Sequence, residues 1–198
     1  LIKRENIDNK KVKEYVEVLE TKSQKLKQLT EDLVEASKIS SGNISIQLGN
    51  IDFVEFINQT IGEFYEKFET SSLTPIFKHE DQSMCINADA RHLWRVVENL
   101  LNNVCKYALS GTRVYMDMVY ITENGKNKKV EFSIKNISES ELDIGADELT
   151  ERFIRGDESR TTEGSGLGLS IAKNLTIAQG GEFDIRLDGD LFKVVILF

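Results

Sequence analysis

Apolar side chains near the start of the chain recur at spacings that alternate between three and four residues. Seven such positions lie between residues 11 and 40, where neither glycine nor proline occurs: Val12, Tyr15, Leu19, Leu26, Leu29, Leu33 and Ala36. This pattern predicts a long amphipathic helix with a narrow apolar stripe, which needs partner helices to cover it. We therefore expect part of a helical hairpin that dimerises into a bundle, ended by Gly42, with an ordinary surface helix as the alternative.

Beyond residue 43 the pattern changes to short stretches with a period of two, which predict β-strands. The expected strands cover residues 44–48, 75–77, 84–86, 114–121, 130–134, 182–187 and 191–198. Periods near 3.6 predict helices over residues 52–68, 89–109 and 166–178, and a short one is expected around residues 148–153. Asn124-Gly125 and Asp188-Gly189 are typical of hairpin turns between successive strands.

The order of these elements indicates the fold class. From residue 44 it is strand, helix, strands, helix, hairpin, an irregular acidic segment, helix and hairpin. Because helices separate hairpins and not parallel crossovers, we predict a mixed, mainly antiparallel sheet with helices on one face. The fold class is therefore α+β, with a partial helical hairpin over residues 1–43 and a two-layer α/β sandwich over residues 44–198.

Composition and charge argue against several classes of protein. With 33 acidic and 25 basic side chains, no basic stripe is expected that could serve general nucleic-acid binding. Cys85 and Cys105 are far apart and form no CxxC pair, so we expect reduced thiols in a cytosolic setting. No apolar run is long enough for a membrane span, and no signal peptide opens the sequence. Because the sequence begins without Met, we interpret it as a fragment of a longer protein.

One side of the helix predicted at residues 89–109 carries an unusual set of polar side chains. Asn99, Asn103, Lys106 and Tyr107 are spaced i, i+4, i+7 and i+8, so they line one side together. Asn has a poor helix propensity, and two of them four residues apart require a reason. An amide oxygen is a suitable ligand for Mg²⁺ that bridges to phosphates, Lys106 can reach phosphate oxygens, and Tyr107 can flank a base or sugar. A solvated helix face with incidental asparagines is the alternative.

A glycine-rich stretch precedes the helix predicted at residues 166–178. Gly164, Gly166 and Gly168 alternate with other residues, and a helix that starts from such a turn presents unpaired N–H groups to a phosphate. A Walker loop is excluded because the stretch has no Lys, and the dinucleotide fingerprint lacks its third glycine at Leu169. A flexible helix cap is the alternative to a phosphate site.

Together these segments resemble the sensor histidine kinases of two-component systems. Three motifs of that family occur in the family's order: Asn99-x-x-x-Asn103-x-x-Lys106-Tyr107 as the N box, Phe153-Ile154-Arg155 as the F box and Gly164-x-Gly166-x-Gly168-Leu169 as the second glycine box. The helix over residues 11–40 resembles the second helix of their dimerisation and phosphoacceptor hairpin. The resemblance implies a Bergerat-type (GHKL) α/β sandwich that binds ATP and Mg²⁺, and a homodimer that phosphorylates a histidine for relay to a response-regulator receiver domain. It also implies a cytoplasmic domain whose full-length parent is anchored in the bacterial cell membrane.

Matched position by position, the resemblance implies a role for each motif residue. Asn103 would bind Mg²⁺, and Asn99 would belong to the same metal and phosphate cluster. Lys106 would hold phosphate, and Tyr107 would lie by the base or ribose. Arg155 would act with Asn99 in catalysis by stabilising the transferring γ-phosphoryl group. A lid segment would wrap the phosphates: Gly164, Gly166, Leu167 and Gly168.

Asn136 stands where the family's first glycine box has an Asp that accepts a hydrogen bond from the adenine amino group. An Asn oxygen can accept the same bond, so adenine recognition is still expected. No glycine follows until Gly145, which departs from the family's pattern at the hinge of the lid. A degenerate nucleotide-binding regulatory module without kinase activity is therefore the alternative function.

The chain offers no histidine in the family's phosphoacceptor context. His79 lies near a predicted strand and His92 lies on the N-box helix, and we expect both to be structural. The acceptor is then expected before Leu1, so this fragment should bind ATP without phosphorylating itself. Asn99 also occupies the position at which ATP-hydrolysing relatives carry a Glu that activates water, which favours a kinase over an ATPase.

Overall fold

The computed structural model describes residues 10–123, 127–142, 145, 149 and 166–198. The helices are α1 (Lys10–Ser40), α2 (Phe53–Glu63), α3 (Tyr65–Thr70), α4 (Ala90–Tyr107) and α5 (Gly168–Ala178). The strands are β1 (Gly49–Asp52), β2 (Thr74–His79), β3 (Cys85–Ala88), β4 (Arg113–Glu123), β5 (Asn127–Ile137), β6 (Glu182–Asp188) and β7 (Leu191–Leu197). The turn at Asn124-Gly125 lies outside the described residues, as does nearly all of the short helix expected around residues 148–153. No helix in the described ranges combines the length and apolarity needed to cross a membrane.

α1 confirms the long helix that the sequence predicts. It ends in a turn in which Asn43 N–H donates to Lys38 O at 3.0 Å and Gly42 N–H donates to Ile39 O at 3.1 Å. Gly42 has a φ of 68°, a left-handed conformation that glycine adopts without strain and that closes this type of helix end. Large apolar side chains of the stripe remain more than half exposed: Tyr15 (68%), Leu19 (63%) and Leu26 (66%). The described part of the chain therefore leaves much of the stripe uncovered.

The main sheet has five strands in the order β2-β4-β5-β7-β6. β4–β5, β5–β7 and β6–β7 pair antiparallel, whereas β2 and β4 pair parallel, with Thr74 opposite Arg113 and His79 opposite Met118. The prediction of a mixed, mainly antiparallel sheet is confirmed. The expectation that no helix occupies a parallel crossover is wrong, because α4 lies between β2 and β4 and returns the chain to the end of the sheet where β2 begins.

The strand expected at residues 44–48 is not formed. These residues have no regular secondary structure, and β1 follows them and pairs antiparallel with β3 in a separate two-stranded sheet. The alternating pattern has another cause: Ile44 packs against the hydrophobic core, and Gln47 N–H donates to Asp89 Oδ2 at 2.8 Å. The helix expected at residues 52–68 is interrupted at Phe64, which separates α2 from α3.

Helices cover one face of the main sheet, as the sandwich prediction requires. The sheet contributes buried side chains that alternate along neighbouring strands: Met116, Met118, Phe132, Ile134, Val194 and Ile196. α4 and α5 contribute buried side chains to the same core: Leu93, Val97, Leu101, Ile171 and Leu175. The other face carries polar contacts such as the Lys135–Asp117 ion pair at 2.9 Å. The two-layer α/β sandwich is therefore confirmed, and α4 packs beside α5 within its helical layer.

Candidate functional site

A buried carboxylate fixes the N-terminus of α4. Asp89 Oδ1 accepts hydrogen bonds from the backbone N–H groups of Arg91 (3.0 Å) and His92 (3.2 Å), so Asp89 is the N-cap of α4. Its other oxygen accepts from Gln47 N–H, and its own N–H donates to Gln179 Oε1 at 2.8 Å. Although burial alone raises the pKa of Asp89, hydrogen bonds from Gln47 and His92 lower this pKa below its ordinary value. α4 is thereby tied to the segment before β1 and to the end of α5.

α4 carries the polar row that the sequence predicts, next to an apolar face. Six apolar side chains of the helix are buried: Leu93, Val96, Val97, Leu100, Leu101 and Val104. Asn99, Asn103, Lys106 and Tyr107 are all half-buried and lie where this face meets solvent. We call these four residues the polar border of α4. Their half-burial leaves each of them accessible to a ligand while its neighbours anchor the helix.

The Asn99 side chain faces the glycine-rich stretch. Its Nδ2 donates to the backbone oxygen of Arg95 at 2.8 Å, which holds the amide in one orientation. A Cβ atom built on Gly168 would lie 3.1 Å from Asn99 Oδ1, closer than most Cβ contacts in proteins. Glycine at position 168 therefore lets the start of α5 approach this amide oxygen. The structure thus brings together the two motifs that the sequence singles out.

α5 begins at Gly168, two residues later than predicted. Gly166 has a φ of 71°, so the turn before the helix requires a residue that tolerates the left-handed region. Leu167 is 2% exposed, so its side chain belongs to the core and only its backbone can face a ligand. Helix geometry leaves the N–H groups of residues 168–170 without an acceptor inside the helix, and the helix dipole makes this end attractive to an anion.

Lys106 and Tyr107 form a pair at the C-terminal end of α4. Lys106 Nζ donates to Tyr107 Oη at 2.7 Å and lies 4.5 Å from the centre of the ring, a cation–π contact. Tyr107 O accepts a hydrogen bond from Glu139 N–H at 2.8 Å, which ties the helix end to the segment after β5. The last turn of a helix also favours a cation, so the position of Lys106 suits a structural role as well as phosphate binding.

Asn136 is buried near the end of β5 and has an unused acceptor. It is 3% exposed and lies on the same face of β5 as the core residues Phe132 and Ile134. Its Nδ2 donates to the backbone oxygen of Ile137 at 3.1 Å, and its Oδ1 has no partner among the described residues. An unpaired buried acceptor costs roughly 1–3 kcal/mol. A ligand that donates a hydrogen bond to this oxygen would recover that loss.

The residues of the site fit a nucleotide and a divalent ion. Amide oxygens such as those of Asn99 and Asn103 are hard, neutral ligands that Mg²⁺ takes alongside phosphate oxygens and water. In the part of the chain that the structure describes, no three His, Cys, Asp or Glu side chains are grouped to hold a metal. Arg155 and Gly164, which are also expected at the site, lie outside the described residues.

Sequence reasoning missed a cationic centre one turn before Asn99. Arg95 on α4 forms hydrogen-bonded ion pairs with Asp32 and Glu35 of α1 and with Glu98 of α4. Although burial alone lowers the pKa of Arg95, the hydrogen bonds that its guanidinium donates to Glu98 and Glu35 raise this pKa above its ordinary value. The sequence could have placed Arg95 beside Asn99, since Arg95 precedes Asn99 by four residues and therefore lies on the same side of the helix. The sequence does not show which acidic residues of α1 come near.

His92 is buried, whereas His79 is exposed and has a local contact. His92 is 4% exposed, and its Nδ1 lies 3.1 Å from Asp89 Oδ2. It precedes Asn99 by seven residues, which is about 10 Å along a helix. His79 Nδ1 lies 2.9 Å from the backbone oxygen of Asp81. These contacts support the expectation that neither ring is the phosphoacceptor.

The family of this chain follows from its similarity to known proteins. Residues 88–196, more than half of the chain, match the family model described as histidine kinase-, DNA gyrase B- and HSP90-like ATPase. The chain belongs to this family. The match runs from the end of β3 into β7, so it includes α4, Asn136 and α5, whereas α1 lies before it. Members of this family bind ATP through this domain.

Sensor kinases are among the proteins that this chain resembles. The sensor protein VanS of Enterococcus faecium is 26% identical over 170 residues, which cover 85% of this chain and 42% of VanS. The chain thus spans less than half of the length of this relative. Among solved structures, full-length ShkA in complex with AMPPNP has a TM-score of 0.76 at 19% identity and covers 96% of this chain and 39% of ShkA.

A second solved structure, the histidine kinase ThkA in complex with the response regulator protein TrrA, has a TM-score of 0.65 at 17% identity. The similarity covers 99% of this chain and 53% of ThkA. At these identities the two structures show a shared fold. Together with the family match and VanS, they confirm the resemblance to the ATP-binding catalytic domain of sensor histidine kinases.

Proposed function

We propose that this chain is the catalytic portion of a sensor histidine kinase and that it transfers the γ-phosphoryl group of Mg²⁺-ATP to a histidine. The observation that carries the proposal is the approach of α5 to α4, where Gly168 faces the amide oxygen of Asn99. Phosphoryl transfer depends mainly on positioning and on stabilising the charge of the moving group. Amide oxygens and a lysine along one side of α4, and the N–H groups at the start of α5 beside Asn99, support that chemistry.

The polar border of α4 binds the metal and the phosphates in this proposal. Asn103 and Asn99 would bind Mg²⁺ through their amide oxygens, and Lys106 would bind a phosphate oxygen. The bound ion would neutralise charge on the phosphate oxygens. The backbone of the glycine-rich lid and one further cation would complete the phosphate site: Gly164, Gly166, Leu167, Gly168 and Arg155.

The unpartnered oxygen of Asn136 supports adenine as the base. Because Asn136 Nδ2 is already bonded to Ile137 O, the amide presents its oxygen, which accepts a hydrogen bond from an amino group. A purine with a carbonyl at the same position would bring a second acceptor and leave both oxygens unpaired. Tyr107, at the end of α4, would flank the base or ribose.

The proposal also assigns domains and partners. Residues 1–43 would form part of a dimerisation hairpin and residues 44–198 the catalytic domain, and the exposed apolar stripe of α1 supports a homodimer through helices. The phosphoacceptor would be a histidine outside this chain, and the local contacts of His79 and His92 are consistent with structural roles for both. ThkA is solved with a response regulator, which supports a receiver domain as the next acceptor here. We further propose that the domain acts in the cytoplasm as part of a membrane-anchored sensor.

A nucleotide-binding regulatory module without kinase activity is the second candidate function. Two departures from the family's pattern favour it: Asn136 replaces an Asp, and no glycine occurs between Asn136 and Gly145. Such a module would bind ATP without transferring its phosphoryl group, so the two candidates differ in chemistry and not in binding.

Isothermal titration calorimetry with Mg²⁺-ATP tests the ATP site. We expect a dissociation constant in the micromolar range or weaker, and Asn103→Ala should weaken binding by at least about tenfold because it removes a metal ligand. Asn102→Ala is the matched control, since Asn102 is the exposed neighbour and its Oδ1 accepts from Lys67 Nζ at 2.9 Å. This control should bind like the parent. Absence of binding by the parent, or equal affinity of the two variants, would contradict the ATP site.

Phosphoryl transfer distinguishes the two candidate functions. The full-length protein, incubated with ATP labelled at the γ-phosphate, should gain acid-labile, base-stable label on histidine, and Asn103→Ala should abolish the gain. Mg²⁺-ATP binding without histidine label would instead support the regulatory module.

A further inference from the structure

An ionic cluster joins α1 to α4 one helical turn before the polar border. Arg95 Nε lies 3.0 Å from Glu35 Oε2, its Nη1 lies 2.8 Å from Glu98 Oε2, and its Nη2 lies 2.5 Å from Asp32 Oδ1. Gln28 Nε2 donates to the same Asp32 oxygen at 2.8 Å. All three guanidinium nitrogens are thus engaged, two of them by α1. We call Arg95, Asp32 and Glu35 the α1–α4 clamp.

The clamp differs from an ordinary surface ion pair in its burial. The side chain of Asp32 is 9% exposed, that of Arg95 is 22% exposed and that of Glu35 is 25% exposed. Partial burial reduces the solvent screening that makes most exposed ion pairs contribute little. A planar guanidinium with partners on three nitrogens is held in a single orientation. Moving α1 away would break two of the three ion pairs of Arg95, so the clamp favours the docking of α1 against α4.

The clamp is connected to Asn99 through the helix backbone. Asn99 Nδ2 donates to Arg95 O, so the residue whose side chain is held by α1 also carries the acceptor that orients the amide. The Asn99 amide oxygen in turn faces Gly168 at the start of α5. A shift of the turn that contains Arg95 would therefore change the distance between this oxygen and α5. α1 also contacts α5, so three helices meet beside the candidate site.

We propose that Arg95 is a positioning residue for the nucleotide site and that the α1–α4 clamp couples the docking of α1 to nucleotide affinity. This inference rests on the proposed ATP site. No clamp residue belongs to the polar border or to the glycine-rich stretch, so the clamp acts through Asn99 and its helix. Because such coupling is reciprocal, docking of α1 strengthens nucleotide binding and the nucleotide strengthens docking of α1 by the same factor.

Asp32→Asn/Glu35→Gln tests the clamp, because it removes both α1 charges while leaving Arg95 and the size of each side chain unchanged. Glu17→Gln/Glu31→Gln is the matched control and removes two exposed charges from the same helix. In calorimetry with Mg²⁺-AMPPNP, the dissociation constant should rise about fivefold to twentyfold for the clamp variant and stay within about twofold for the control. Arg95→Lys, which keeps the charge without the planar fork, should give an intermediate value.

Hydrogen exchange of α1 distinguishes coupling from a purely structural role, because a purely structural clamp would make α1 exchange independent of the nucleotide. In the parent, Mg²⁺-AMPPNP should slow the exchange of α1 amides around Asp32 and Glu35, although the nucleotide does not touch them. In the clamp variant the nucleotide should no longer slow this exchange. The proposal is overturned if the parent binds nucleotide while the clamp variant and Arg95→Lys bind it with the affinity of the parent. It is also overturned if the nucleotide does not change the exchange rates of α1 amides in the parent. A parent that binds no nucleotide overturns the proposed ATP site instead.

Discussion

Two side-chain amides at the candidate site are held by single hydrogen bonds to nearby backbone oxygens. Asn99 donates through Nδ2 to Arg95 O, and Asn136 donates through Nδ2 to Ile137 O. Each amide therefore presents its oxygen and keeps its NH₂ group occupied. An acceptor oriented before binding loses little rotamer entropy when a ligand arrives, so these two contacts preorganise the site.

Gly168→Ala should weaken nucleotide binding more than it affects folding. The added Cβ would lie 3.1 Å from Asn99 Oδ1, so the amide or the start of α5 must move by a few tenths of an ångström. Since Ala suits a helix, the free energy of unfolding in urea should change by less than about 1 kcal/mol. Mg²⁺-ATP affinity measured by calorimetry should fall about fivefold to tenfold, because small misplacements at a site are costly.

Gly62→Ala is the control for this variant, since an added Cβ there meets nothing within 4 Å. It should leave nucleotide affinity unchanged. Unaltered affinity of Gly168→Ala would show that the Asn99–Gly168 approach does not belong to the nucleotide site.

The residue types of the site follow from the sequence, whereas their orientations do not. The spacing of Asn99 and Asn103 along a helix with 3.6 residues per turn is enough to predict a shared side. The direction of the Asn99 amide depends on the Arg95 carbonyl, and the Arg95 guanidinium depends on Asp32, which is 63 residues away in sequence. Hydrophobic periodicity depends only on residues that are near in sequence, so it cannot predict a contact between residues as far apart as Arg95 and Asp32.

At the scale of the elements, two glycines differ in backbone conformation: Gly62 is helical in α2, whereas Gly111 has a positive φ in the turn before β4. An added Cβ would meet nothing within 4 Å at either Gly62 or Gly111, but Gly111 has a φ of 78°. Gly62→Ala should raise the free energy of unfolding by about 0.5–1 kcal/mol, because Ala loses less backbone entropy in a helix. Gly111→Ala should lower it by about 1 kcal/mol, because an L-residue is strained at positive φ. Urea denaturation of both variants checks this, and shifts of the same sign would contradict it.

Strands with one buried and one polar face are predicted well from the alternation of their residues. Segments held by contacts with distant side chains, and the direction of strand pairing, are not. β4 and β5 alternate between a buried and a polar face, as their sequences indicate. Residues 44–48 alternate as well, because Ile44 and Ile46 are half-buried, but the backbone of Gln47 bonds to Asp89 and not to a strand. The parallel pairing of β2 with β4 was also missed, because periodicity contains no information on strand direction.

At the scale of the whole molecule, two polar clusters tie α4 to other segments of the chain, and one of them reaches α1. Asp89 joins the start of α4 to Gln47, in the segment before β1, and to Gln179 at the end of α5. The α1–α4 clamp joins the middle of α4 to α1, where Ala36 also packs against the core. Because α4 carries the polar border, these contacts set the position of the candidate site relative to α1.

Asp89→Asn should destabilise the chain at neutral pH, and the difference should shrink on acidification. Asn keeps a cap oxygen but loses the charge and the second acceptor that holds Gln47. The pKa of Asp89 is lowered on folding, so its ionisation contributes stability above the ordinary value of 3.8. This contribution is lost as the pH falls through the lower folded value. We expect the free energy of unfolding of the variant to be about 1 kcal/mol lower at pH 7 and to converge with that of the parent once the pH has fallen through this lower folded value.

Urea denaturation of the parent and Asp89→Asn, at several pH values from pH 7 to well below the ordinary value of 3.8, measures this convergence. Asp188→Asn is the control, since it removes an exposed carboxylate beside the β6–β7 turn and should stay within about 0.5 kcal/mol of the parent throughout. Because Asp89 links three segments of the chain, the loss should appear as one cooperative shift of the whole transition. A deficit that stays constant across this pH range would mean that the Asp89 charge does not hold these segments together.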